Sequence, residues 1–249
     1  MKKANARDAT MTRSDGGSGK KRGPATEVVH SGRDPLAQHG FVNTPVYRGS
    51  TVLFPTLAAL KARTQPYTYG RRATPTTHAL EEAINGITGG AATILTSSGL
   101  CAVSTALLAL LRAGDELLMV DTVYQPTRAF CDGMLKRLGI TTTYYDPLIG
   151  GDIASLMKPN TRVVFVESPG SQTFEVQDIP AIAAAAHARD AIVVADNTWA
   201  GLLYCKPLAL GVDVSVEAAT KYIVGHADAM LGVVTANART AKAIDAAKE

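Results

Sequence analysis

Strands and helices are predicted to alternate along most of the chain from about residue 76. Short apolar runs rich in Val, Ile and Leu fit strands that are covered on both faces. Such runs predict strands over residues 92–95, 116–120, 162–166, 191–195, 212–216 and 231–235, and a further strand, rich in Thr and Tyr, is predicted over 140–145. Apolar residues at helical spacing fall between them, over residues 77–87, about 99–112, 126–138, 152–157, 180–188 and 238–249. This alternation predicts an α/β fold with a mostly parallel central sheet.

The first 75 residues lack this regular pattern. Residues 1–25 are polar and rich in glycine and lysine, which predicts a disordered tail. Residues 26–75 contain few periodic apolar runs and are interrupted by four prolines, Pro35, Pro45, Pro55 and Pro66. Such a segment does not build a core of its own. We therefore predict an N-terminal arm for subunit contact over 26–75 and one large domain over 76–249.

Composition and charge narrow the class of protein. Of the 249 residues, 46% are hydrophobic and 19% are charged, as in soluble globular chains. Much of the net charge of +3 comes from the first 22 residues, so it is poor evidence for a nucleic-acid partner. The longest apolar stretch, residues 102–111, is too short to span a bilayer, and no secretory signal is recognisable. We expect a cytoplasmic protein that binds neither nucleic acid nor membrane.

The cysteines and histidines predict neither a disulfide framework nor a metal site. The three cysteines lie far apart without a CxxC pair, and the five histidines are scattered. They are Cys101, Cys131, Cys205, His30, His39, His78, His187 and His226.

A lysine just after a predicted strand is the first candidate for chemistry. The alternation of Val212, Val214 and Val216 predicts a strand that leads to Thr220 and Lys221. Taken alone, this stretch is better explained by a surface lysine. The catalytic interpretation depends on whether other strand ends build a site around it.

Other strand ends also carry distinctive residues, and ligands of open α/β sheets bind there. Ser98 and Gly99 open a helix whose free N–H groups suit a phosphate, although a plain serine cap is an equally good interpretation. Tyr124 either packs in the structure or presents an aromatic face. Asp196 follows four apolar residues, where an unpaired carboxylate is costly. Glu167, at a further strand end, is interpreted as structural.

A phosphate turn, a flat aromatic ring, an aspartate and a lysine together meet the needs of pyridoxal 5'-phosphate. The lysine binds this cofactor covalently, and the aspartate keeps the ring nitrogen protonated. The aromatic side chain stacks on the cofactor ring. The joint occurrence of these residues predicts a pyridoxal-phosphate enzyme.

With these motifs the chain resembles the cystathionine-metabolising enzymes of fold type I, and most closely the cystathionine β-lyases. The resemblance runs from about residue 26 to the end of the sequence. Its motifs are Tyr69-Gly70-Arg71, Ser97-Ser98-Gly99, Tyr124, Glu167-Ser168-Pro169-Gly170-Ser171, Asp196-Asn197-Thr198-Trp199 and Ala219-Thr220-Lys221-Tyr222.

The resemblance implies a three-layer, transferase-like fold and a role for each site residue. Lys221 is implied to hold the cofactor and to act as the catalytic base, and Asp196 to pair with the ring nitrogen. Tyr124 is implied to stack on the ring and to assist catalysis. The residues implied to lie near the phosphate are Ser98, Gly99, Leu100 and Thr220, together with Tyr69 and Arg71 toward the phosphate of an adjacent subunit.

Three positions favour the β-lyase branch. The chain has Ser171, Trp199 and Ala218 where γ-lyases and γ-synthases usually have Asn, Phe and Ser. The implied reaction is cleavage of L-cystathionine to L-homocysteine, pyruvate and ammonia in trans-sulfuration and methionine biosynthesis, by a homotetramer built as a dimer of dimers. A γ-lyase or γ-synthase activity and a non-catalytic cofactor-binding fragment remain as alternatives.

Members of the family continue into a small C-terminal domain, which supplies the arginine that binds the substrate carboxylate. We expect this domain to be absent from the present chain.

Overall fold

The computed structural model describes residues 22–248, and it is built around a seven-stranded sheet. The strands are β1 (Ala92–Thr96), β2 (Glu116–Val120), β3 (Thr141–Tyr145), β4 (Thr161–Glu167), β5 (Ile192–Asp196), β6 (Val214–Glu217) and β7 (Gly232–Ala236). The helices are α1 (Pro24–His30), α2 (Leu57–Ala62), α3 (Pro75–Thr88), α4 (Gly99–Leu110), α5 (Gln125–Phe130), α6 (Ile179–His187), α7 (Gly201–Tyr204) and α8 (Ala241–Ala246).

The strands lie in the order β1-β7-β6-β5-β4-β2-β3. All pairings from β6 through β3 are parallel, whereas β7 runs antiparallel to both of its neighbours. Because β7 alone is reversed in this sheet, the carboxyl ends of the other six strands meet at one edge. The prediction of a mostly parallel sheet in an α/β fold is confirmed.

Helices cover the sheet on both faces. All five residues of β2 and of β7 are buried, and successive strand residues point to opposite faces. Neither face of these strands is therefore open to water. The helix α4 packs against β1, β6 and β7, while α6 packs against β5. The core of these three layers includes Leu117, Leu118 and Phe165, which are completely buried.

The structure differs from the predicted elements in several places. The helix predicted over 126–138 begins as α5 and then widens into a π-helical turn, Cys131–Leu135. The segment predicted as a helix over 152–157 is a 3₁₀ helix, Gly150–Ser155, and the last helix begins only at Ala241. Two short helical segments, Gly201–Tyr204 and Pro207–Leu210, were not predicted, because four residues are too few to show a period.

The segment before α3 carries two short helices within the predicted arm. One of them, α2, begins where Thr56 accepts the N–H of Ala59 and ends at Arg63, which has a left-handed backbone. Large apolar side chains of this segment lie open to water, including Phe41 and Leu53, which are 69% and 84% exposed. Its role as a subunit contact stays a prediction. Residues 1–21 of the predicted tail lie outside the described part of the chain, and α1 already begins at Pro24.

Within residues 22–248, no helix is long and apolar enough to cross a membrane. The same residues contain no cluster of histidine, cysteine and acidic side chains that could hold a metal ion. The three cysteines are free thiols, and burial raises the pKa of Cys131 to about 12.

Candidate active site

The carboxyl ends of four strands bring most of the predicted site residues to one edge of the sheet. Ser98 and Gly99 follow β1, Tyr124 follows β2, and Asp196 ends β5. Lys221 lies four residues past the end of β6. Residues that are far apart in the sequence therefore share the edge at which α/β proteins bind ligands.

Ala218 lies between the segments that carry Asp196 and Lys221. Its N–H donates to Oγ1 of Thr198 at 2.8 Å, and its carbonyl accepts the N–H of Lys221 at 2.9 Å. Thr198 in turn donates its own N–H to Oδ1 of Asp196 at 2.9 Å. A continuous path of hydrogen bonds thus joins the aspartate to the backbone of the lysine.

The start of α4 packs against the same alanine. A Cβ atom built on Gly99 would lie 2.4 Å from Cβ of Ala218, so only glycine allows this close approach. Ser98 caps α4, because its Oγ accepts the N–H of Cys101 at 3.1 Å. The N–H groups of Gly99 and Leu100 lie in the first turn, where a helix leaves donors free for an anion. This turn can hold a phosphate.

Thr220 holds the turn that presents Lys221. Its Oγ1 exchanges hydrogen bonds with both the N–H and the carbonyl of Leu231, each at 3.0 Å. The carbonyl of Lys221 accepts the N–H of Gly225 at 2.8 Å, and the lysine itself is exposed. The backbone of the lysine is therefore fixed while its side chain is open to a ligand. The hydroxyl of Thr220, implied to lie near the phosphate, already binds Leu231.

A carboxylate holds Tyr124 in place. The N–H of Tyr124 donates to Oε2 of Glu167 at 2.9 Å, and the tyrosine is 49% exposed, with its ring available for stacking. Glu167 is the last residue of β4 and pairs with Asp196 across the sheet. It therefore connects the aromatic residue to the aspartate, although the sequence interpretation gave it only a structural role.

Tyr69 and Arg71 lie beside the C-terminal end of α8. The guanidinium of Arg71 is 6.0 Å from the centre of the Tyr69 ring and donates to the carbonyl of Lys248 at 3.2 Å. Tyr69 is 43% exposed. The structure places neither residue in a contact with Lys221 or Asp196, and their role at an adjacent subunit's phosphate stays a prediction.

Three acidic side chains lie close together at this edge without a cationic partner. The ion pairs within residues 22–248 include none of Glu167, Asp196 and Glu217. Burial raises the pKa of Asp196. Burial, followed by the charge of Asp196, raises the pKa of Glu167 to about 8. A cationic group bound at this edge would therefore be stabilised by these carboxylates.

The pKa of Glu217 predicts how pH affects stability. Burial raises it from 4.5 to about 7, although a hydrogen bond from Asn197 at 3.1 Å opposes the shift. Because the pKa of Glu217 is higher in the folded than in the unfolded chain, its effect on stability depends on pH. The protein has its full stability below the ordinary pKa of about 4.5 and loses part of it as pH rises through about 7. Glu217→Gln stays neutral and can still accept from Asn197. Relative to the wild-type chain, we expect the free energy of unfolding of this variant to be higher by roughly 2–3 kcal/mol at about pH 8 and nearly unchanged at about pH 4.

Urea unfolding of the wild-type chain and of Glu217→Gln at both pH values measures this difference. Glu82→Gln, an exposed glutamate on α3, is the matched control and should change neither value by more than about 0.5 kcal/mol. Equal effects of the two substitutions at about pH 8 would show that the burial of Glu217 is not responsible.

The residues at this edge fit pyridoxal phosphate. The first turn of α4 offers donors to the phosphate, and the close contact at Gly99 leaves no room for a side chain there. Asp196 offers a carboxylate without a cation to a protonated ring nitrogen, and exposed Tyr124 offers a stacking face. Lys221 offers an exposed amine that can bind the cofactor covalently.

Sequence reasoning missed residues that connect the site. Glu167 has the same position at a strand end as Asp196, and this similarity was the signal available. Thr198 follows Asp196 by two residues, a spacing at which a short polar side chain can fix a turn. Nothing in the sequence alone indicates that Ala218 contacts Gly99, because that contact depends on the sheet order.

Comparison with known proteins identifies what the chain is similar to. The Cys/Met metabolism PLP-dependent enzyme family matches residues 25–248. A Rhizobium johnstonii protein, provisionally named a cystathionine beta-lyase, is 56% identical over 213 residues, covering 86% of this chain and 54% of that protein. The cystathionine beta-lyase MetC of Escherichia coli is 45% identical over 221 residues, covering 86% of this chain and 56% of that protein.

A solved structure supports the same fold. Cystathionine gamma-lyase from Lactobacillus plantarum, crystallised with L-serine, superposes with a TM-score of 0.85 at 30% identity. The match covers 91% of this chain and 58% of that protein. The present chain therefore spans about half the length of the relatives that it matches.

Proposed function

Since the chain belongs to the Cys/Met metabolism PLP-dependent enzyme family, we propose that it is the cofactor-binding part of a carbon–sulfur β-lyase. The substrate is L-cystathionine, and the products are L-homocysteine, pyruvate and ammonia. The observation that carries this proposal is the hydrogen-bonded path from Asp196 through Thr198 and Ala218 to Lys221. The names of the relatives from Rhizobium johnstonii and Escherichia coli support the β-lyase assignment.

The residues of the site divide the work of a β-elimination. When bound, pyridoxal phosphate supplies an electron sink for the negative charge that develops at the substrate Cα. The amine of Lys221 takes the Cα proton, and a proton returned from the same amine reaches the sulfur as the Cβ–S bond breaks. Asp196 would keep the proton on the ring nitrogen, and Tyr124 would stack on the ring. The N–H groups of Gly99 and Leu100 would donate to the phosphate.

The N-terminal arm has a place in this proposal. Tyr69 is exposed, and Arg71 donates to the carbonyl of Lys248. In the proposed assembly both residues would bind the phosphate held by a second copy of the chain. The guanidinium of Arg71 can contact two phosphate oxygens at once, which an ammonium group cannot do. The assembly is then a homo-oligomer in which two chains complete each other's sites.

An activity assay on L-cystathionine tests the proposal. We expect the chain, incubated with pyridoxal phosphate, to release pyruvate and homocysteine in equal amounts. Release of 2-oxobutyrate and cysteine would instead indicate γ-elimination, which the likeness to a γ-lyase structure makes the second candidate. Cofactor binding without turnover would instead support the third alternative, a chain that binds the cofactor without catalysing the reaction.

A further inference from the structure

We propose that Glu167 is a positioning residue of the cofactor site, acting through two neighbours at once. It holds the backbone from which the Tyr124 ring projects, and it sets the charge of Asp196 opposite the ring nitrogen. This inference rests on the proposed function, because it concerns the same site. It adds a residue that touches neither substrate nor cofactor in that proposal.

The first of the two contacts is a direct hydrogen bond. The N–H of Tyr124 is the last donor before α5, and it points to Oε2 of Glu167 at 2.9 Å. Tyr124 makes no side-chain cap with α5, so this bond fixes the position from which its ring projects. The backbone of Glu167 is itself anchored, since its N–H donates to Oε1 of Gln177 at 3.0 Å. An acceptor at this point therefore determines where the aromatic ring lies.

The second contact is electrostatic and follows from strand register. Glu167 and Asp196 are partners across the parallel pair β4 and β5, so their side chains leave the same face. Glu167 is 9% exposed, and the charge of Asp196 acts on it directly. From β6, Glu217 also acts on Asp196, and from the loop before α5 the neighbour is the backbone of Tyr124. Asp196 is thus the charged group that Glu167 faces.

Two neighbouring carboxylates, one buried and one partly buried, do not both ionise readily at neutral pH without a cation. Burial and the charge of Asp196 raise the pKa of Glu167 to about 8, so Glu167 keeps its proton while Asp196 carries the charge. A bound cationic ring nitrogen neutralises Asp196 and lowers the pKa of Glu167 again. Cofactor binding and ionisation of Glu167 therefore favour each other.

This coupling predicts a pH-dependent effect of Glu167→Gln. Glutamine keeps an acceptor for the N–H of Tyr124 and matches the neutral form of Glu167. At about pH 6 the cofactor dissociation constants of the variant and the wild-type chain should agree within about threefold. The ratio of the variant's dissociation constant to that of the wild-type chain should rise with pH and level off above about pH 8. Its final value should be about tenfold for each unit by which the cofactor lowers the pKa of Glu167.

The measurement does not need catalysis. Trp199, the only tryptophan of the chain, lies three residues after Asp196, so its fluorescence reports cofactor binding at each pH. Glu167→Leu, which lacks an acceptor, should weaken binding at least about fivefold even at about pH 6, as expected for one lost hydrogen bond. Asp152→Asn, at an exposed carboxylate that follows β3 rather than β4, β5 or β6, is the control for a lost charge and should give a ratio near one throughout.

Each outcome decides a different part of the proposal. A Glu167→Gln ratio that stays flat with pH would refute the link to Asp196. Equal binding by the Gln and Leu variants at about pH 6 would refute the link to Tyr124. A wild-type chain that does not bind the cofactor would overturn the proposed function, and this inference with it, whereas binding with a flat ratio would overturn the inference alone.

Discussion

Replacing Lys221 by alanine is expected to abolish covalent cofactor binding and to reduce β-elimination at least a thousandfold, roughly the combined loss of a nucleophile and a general base. The backbone of this residue is held by Ala218 and Gly225, so the turn itself should survive the substitution. The variant should therefore stay folded and still bind the cofactor weakly through the other contacts. The visible absorbance of the bound cofactor should shift to that of the free aldehyde.

Absorbance spectroscopy and a pyruvate assay check this expectation. Lys136→Ala is the matched control, because Lys136 is an exposed lysine on the surface of the same domain. It should retain the spectrum and the rate of the wild-type chain. A wild-type spectrum in Lys221→Ala would show that another amine binds the cofactor.

Replacing Asp196 by asparagine is expected to separate catalysis from stability. The rate should fall about a hundred- to a thousandfold, because the ring nitrogen loses the charge that keeps it protonated. The cofactor-free chain should become more stable at neutral pH, since burial raises the pKa of Asp196 and its charged form therefore costs free energy in the fold. Asparagine can still accept the N–H of Thr198, which keeps the local turn.

Thermal unfolding of the cofactor-free chain and steady-state kinetics of the loaded chain measure these two effects. The stability gain should disappear below about pH 4, where Asp196 itself carries a proton. Asp152→Asn is again the control and should alter neither property. A loss of stability together with activity would mean that Asp196 serves mainly to hold the fold.

The sequence was sufficient to predict the sheet, because its strands are buried on both faces. Continuous apolar runs such as Leu117–Val120 have few alternatives in a soluble chain, and the observed and predicted bounds of the strand that contains this run, Glu116–Val120, coincide. The reversed direction of β7 could not be predicted in the same way. The pattern of a five-residue apolar run is the same for a parallel and an antiparallel strand. Its direction in the sheet depends on the strands beside which it lies.

The sequence predicted the residues that are expected to contact the cofactor directly. It did not predict the residues whose role depends on contacts with other residues of the site. Lys221 and Asp196 each stand out after a strand, since an amine or a carboxylate is unusual there. Glu167 has the same signal, but its meaning depends on register with Asp196 and on the N–H of Tyr124. Contacts of this kind come from strand order, which is a property of the whole fold.

The position of β7 also determines when a growing chain can complete the sheet next to the Ser98 turn. The edge strand β1 pairs with β7, and Ala92 is matched to Ala236, 144 positions later. On the ribosome, β1 and the Ser98 turn leave the exit tunnel early but have no partner strand until β7 emerges. Such distant pairing slows folding and keeps an apolar strand exposed in the meantime. The edge that carries β1 and the Ser98 turn is therefore the last part of this sheet to be assembled, and a chain that stops before β7 would leave β1 unpaired.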